Sequence, residues 1–134
     1  MKKLSLIALV VTSFLGFSMS AQAVDSAPQP SQDPVVQHLK LSPEQVTKIN
    51  SLHSQMTENL GKISFQEVKK GALVDAVRAD KWDEKAINEQ LTAVSKVETQ
   101  VRYYRVKYYF DLNQVLTAEQ REIIRNDLIQ AISE

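Results

Sequence analysis

The sequence predicts an all-α fold of four to five helices, one of them long. Three observations carry this. No proline follows Pro43, and Gly61 and Gly71 are the last glycines, so the remaining chain holds few residues that interrupt a helix. Apolar residues recur at steps of three and four, whereas no stretch alternates with period two long enough to compete as a strand. Two segments, Leu41–Gln45 and Leu116–Gln120, carry the residues that start helices.

Taken in order, Met1-Lys2-Lys3 leads into an apolar run from Leu4 to Met19 and then Ala21-Gln22-Ala23. A short basic start, an apolar stretch and small residues two apart predict a cleavable export signal over residues 1–23, cut after Ala23. The mature chain is therefore expected to be exported. The 134 residues balance 16 Lys and Arg against 16 Asp and Glu. Removing Lys2 and Lys3 leaves 14 against 16, a charge of −2 on a mature chain of 111 residues. A chain of that length forms one small domain. Without cysteine it has no disulfide framework, lipid-anchor thiol or thiolate metal site. Its charge offers no long-range attraction to nucleic acid.

Residues 24–33, with Pro28 and Pro30, read as a flexible leader. Asp33-Pro34 offers a cap followed by proline, which predicts a short helix over 34–40. At Leu41-Ser42-Pro43-Glu44-Gln45, Ser42 caps free backbone N–H groups, Pro43 fits the first turn, and Gln45 reaches back to close a capping box. Val46, Ile49, Leu52, Met56, Leu60 and Ile63 then mark one face of a helix ending near Gly61. A second helix is expected from about Phe65 to Ala79, burying Val68, Leu73, Ala76 and Val77, with Gly71 weakening its middle. Asp80 and Asp83 are the capping residues before a long helix from Glu84 to about Gln114, about 46 Å at 1.5 Å per residue. Leu116-Thr117-Ala118-Glu119-Gln120 repeats the capping box with Thr117 as cap and Gln120 at its third position, and a last helix carries Ile124, Leu128 and Ile132.

The long helix has two apolar faces. A broad stripe from Ile87 and Leu91 through Tyr104, Tyr108 and Leu112 to Val115 should pack within the protomer. Tyr103, Val106 and Phe110 lie roughly opposite, at spacings of three and four. Together with Phe65, they are assigned to a surface that either a second copy or a client chain covers. Glu98 and Arg102 stand in the favourable i, i+4 order, and Arg105 points near the centre of the inner stripe, where it needs a carboxylate or carbonyl partner.

Between the two L-[ST]-x-x-Q segments sit Asp80-x-Trp82-Asp83 and Val97-Glu98-Thr99-Gln100. In this arrangement the chain resembles the Spy/CpxP family of periplasmic LTxxQ proteins over about residues 35–132. The resemblance implies an elongated, hairpin-like protomer in which the two motif-bearing segments meet. It also implies a thin, curved antiparallel homodimer that holds unfolded or partly folded periplasmic clients without ATP. Alternatives within the family are a metal-responsive sensor or resistance accessory protein and an inhibitor of a membrane sensor kinase. Family cradles are typically basic, and a charge of −2 departs from that. Lys62, Lys69, Lys70, Arg78 and Lys81 do cluster in the middle of the chain.

Chemistry finds little support. His38 and His53 are the only histidines, fifteen apart, in no metal-ligand spacing, so no metal residue is assigned and His53 reads as a structural histidine. No nucleophile motif, phosphate loop or cofactor signature occurs, so neither catalytic residues nor a cofactor are expected.

Overall fold

The computed structural model describes residues 28–133, and the predicted export signal and residues 24–27 of the leader lie outside them. Four helices follow in order: α1 (Pro43–Gly61), α2 (Ala72–Arg78), α3 (Glu84–Val115) and α4 (Ala118–Ser133). No strand occurs among the described residues. α3, with 32 residues, is about 48 Å long at 1.5 Å per residue, and α1, α2 and α4 all pack against it.

Each long helix starts where its cap dictates. The Ser42 hydroxyl accepts from Gln45 N–H at 3.2 Å, and the Gln45 side chain accepts from Ser42 N–H at 3.0 Å, completing the box for α1. Thr117 and Gln120 do the same for α4, at 3.3 and 3.0 Å. The Asp83 carboxylate accepts from Ala86 N–H at 3.0 Å and caps α3. Asp80 is exposed and takes no part in a cap.

The second helix is shorter than its periodicity predicts. Gly71 adopts φ +81°, a left-handed conformation that an α-helix cannot continue through, so α2 begins only at Ala72. Residues 65–70 form turns instead, with Val68 N–H bonded to the Phe65 carbonyl. None of α2 is buried, and Val77, expected inside, is 80% exposed. The turn is held to α3 by Gln90, a buried amide that accepts from Lys69 N–H at 2.8 Å and donates to the Glu67 carbonyl at 3.3 Å.

The central apolar cluster joins Ile49 of α1, Leu112 of α3, Leu116 at the C-terminal end of α3 and Ile124 of α4 to Val35, Val36 and Leu39. Ile49, Leu112, Ile124 and Val36 are fully buried, each worth about 1.5–3 kcal/mol of apolar transfer. The N-terminal contribution differs from the expected helix over 34–40. Val36 N–H bonds to the Asp33 carbonyl and Leu39 N–H to the Val36 carbonyl, so the segment is a pair of tight turns. Asp33 caps it through Val35 N–H at 2.9 Å. Ser31 and Asp33, assigned by sequence to the leader, are themselves buried.

Candidate functional site

Two features organise the surface: the junction of the two motifs and the outer side of α3. At the junction the amide of Gln45 donates to the Val115 carbonyl at 3.1 Å and to Gln120 Oε1 at 2.7 Å. The amide of Gln120 donates to the Lys40 carbonyl at 2.9 Å and to Gln45 Oε1 at 3.2 Å. Val115 and Lys40 are the residues immediately before the two motifs, so each glutamine closes its own cap and binds the backbone leading into the other. Leu116 is buried and Leu41 packs against the same cluster.

On α3, Tyr103 is 63%, Val106 48% and Phe110 60% exposed. At about 100° per residue they fall on one strip, opposite the buried Tyr108 and Leu112. Tyr103 stacks edge-on against Tyr104 with ring centroids 5.4 Å apart. Lys107 lies 6.0 Å from the Phe110 ring centroid and also pairs with Asp111. The expected Glu98–Arg102 ion pair does not form. The strip is therefore apolar and largely aromatic, with the Lys107–Asp111 pair beside it. Phe65, 58% exposed, lies in the turn in which Glu67 meets Lys96 of α3 at 3.2 Å.

Beneath the N-terminal turns lies a group of residues that periodicity alone could not assemble. The Tyr108 hydroxyl is buried without a hydrogen-bond partner, with Ser31 and the Asp33 carboxylate close by but not in bonding geometry. Burial, and then the negative charge of Asp33, push the Tyr108 phenol well above the ordinary tyrosine range. Burial and Asp33 also raise Tyr109, with Arg105 opposing them. Arg105 meets a carbonyl as anticipated, that of Ala131, at a long 3.5 Å. His53 is half-buried edge-on against Tyr108, ring centroids 5.9 Å apart, and His38 lies 3.5 Å from Asp127. No group of three or more metal-capable side chains converges among the described residues. No helix among them is long and apolar enough to cross a membrane.

These features define a class: a small all-helical protein whose two helix-start motifs interlock and whose longest helix leaves an aromatic strip open. The chain belongs to the family of the Salmonella Typhimurium VirG-like (STV) protein. Two solved structures of that protein are 50% and 48% identical in sequence, with TM-scores of 0.68 and 0.62. In both, the match covers 78% of this chain and 98% of the other. No family profile and no curated protein matches the chain.

Proposed function

We propose that the protein is a periplasmic, ATP-independent chaperone of the envelope, a homodimer that holds unfolded or partly folded clients on an apolar surface. The observation that carries this reading is the strip of Tyr103, Val106 and Phe110, three large apolar side chains left open on the side of α3 away from the core. An aromatic strip on a small domain calls for a covering partner. A client chain burying its own apolar groups there gains ~25 cal/mol per Å² without nucleotide chemistry. The interlocked motifs suit this role by fixing α1 and α4 to one end of a stiff α3, so the strip is presented on a rigid rod. The small net charge assigns most of the attraction to apolar contact rather than to steering. Light scattering from a chemically denatured client, diluted into buffer with stoichiometric protein, tests the reading. Suppressed aggregation across several clients is expected; no suppression with any of them rejects it.

A further inference from the structure

α2 is inside out. Its half-buried residues are the small ones, Ala72 and Ala76, while its large apolar residues, Leu73, Val74 and Val77, are exposed. At 100° per residue those three fall within about 100° of one another, on one face. Four residues beyond the helix stands Trp82, the single tryptophan of the chain, 70% exposed. Lys69, Lys70, Arg78 and Lys81 flank these apolar residues in the chain, and none of the four enters an ion pair among the described residues. Against them residues 69–82 hold only Asp75 and Asp80, so this stretch carries +2 in a mature chain of −2. The nearest acids on either side are engaged elsewhere: Glu67 meets Lys96, and the Asp83 carboxylate caps α3. The Gln90 bonds before α2 and the Asp83 cap after it tie both ends of the segment to α3.

We propose that α2 and Trp82 form a docking surface for an anionic lipid bilayer, separate from the strip on α3. The charge selects the partner: unpaired cations beside exposed apolar groups are complementary to a surface that is negative outside and apolar beneath. Each Lys or Arg held near such a surface raises partition into it about fivefold. Leucine and valine on one helical face, bordered by Lys and Arg, are the composition of a helix that lies in the headgroup plane. An indole prefers that same boundary between water and acyl chains, which an acidic protein surface does not offer. With seven residues α2 is too short to cross a bilayer, so the contact is peripheral. The docking surface does not rest on the holding function proposed above.

Vesicle binding by the chain from Val24, which lacks the apolar run Leu4–Met19, tests the proposal. Vesicles of phosphatidylcholine alone are compared with an equal mixture of phosphatidylcholine and phosphatidylglycerol. The mixed vesicles are expected to sediment the protein at least about tenfold more tightly, less so as salt rises, and to shift Trp82 emission to the blue. No binding to the mixed vesicles, equal binding to both, or binding without a shift of Trp82 would overturn the proposal. The exposed variants Val74→Ser/Val77→Ser and Lys70→Gln/Arg78→Gln/Lys81→Gln should keep their helical circular dichroism and each lose at least about tenfold in binding. Tyr103→Ser/Val106→Ser/Phe110→Ser should bind as wild type does. Loss in that variant, with the two α2 variants unaffected, would assign the contact to the α3 strip and overturn the proposal. A blue shift of Trp82 with a denatured protein but not with mixed vesicles would make α2 a client surface and overturn it as well. The vesicle measurements contain no client, so their failure leaves the holding function standing.

Discussion

Gln45 and Gln120, 75 positions apart, exchange hydrogen bonds of 2.7 and 3.2 Å while each also closes the cap of its own helix. Every donor and acceptor of the two amides is thereby engaged with a helix start, the other glutamine or the backbone entering the other motif. A reciprocal network of this kind fixes register, because displacing one motif by one residue relative to the other would break both cross-bonds together.

Replacing either glutamine by alanine should cost about 2–3 kcal/mol, since one capping-box bond and three partly buried bonds are lost and a backbone carbonyl is left unmet. Urea denaturation of the two single variants and the double variant measures the coupling. The double variant should be less destabilised than the sum of the singles by about 1 kcal/mol.

The sequence states one half of this junction and hides the other. Ser42, Gln45, Thr117 and Gln120 are readable as capping boxes because capping is a matter of three-residue spacing. That Gln45 also meets Val115, and Gln120 also meets Lys40, is a tertiary fact that spacing does not contain; only the family resemblance implied that the motifs meet. The same division explains the misplaced second helix. Periodicity through Val68, Leu73 and Val77 suggests a continuous helix, but the left-handed Gly71 and the buried Gln90 override it. The strip of Tyr103, Val106 and Phe110 was legible because an apolar residue on the wrong side of an amphipathic helix stands out. The Asp33–Tyr108–Tyr109 group was not, since proline-bearing chain before a helix gives no periodic signal of burial.

Tyr108→Phe should leave stability at neutral pH unchanged or raise it by up to about 1 kcal/mol, because it removes a buried hydroxyl that has no partner. Its pH dependence follows from the raised phenol. The fold holds Tyr108 neutral, so its contribution is complete below the unfolded tyrosine value of about 10 and is lost as pH climbs above it. Denaturation midpoints measured between neutral and strongly alkaline pH should fall less steeply in the variant, with the remaining slope belonging in part to Tyr109.

Gly71→Ala isolates the backbone effect at the start of α2. A Cβ there meets nothing nearer than Asp75 Oδ2 at 4.0 Å, so space is not the constraint. The φ of +81° is, and holding alanine in a left-handed conformation costs about 1–2 kcal/mol. Because nothing in α2 is buried, the loss should appear mainly as faster amide exchange over residues 72–78. The urea midpoint of the whole domain should move little.

Client holding is proposed for the outer strip of α3. The variant Tyr103→Ser/Val106→Ser/Phe110→Ser tests it most directly, since these side chains are exposed and their removal should leave the helical signal intact, with each change worth within about 0.5 kcal/mol of protomer stability. Aggregation of a denatured client is followed by light scattering with wild type and variant at equal concentration. Wild type is expected to suppress the scattering, and the folded variant to lose most of that suppression. Suppression by the variant equal to that of wild type would contradict the proposal.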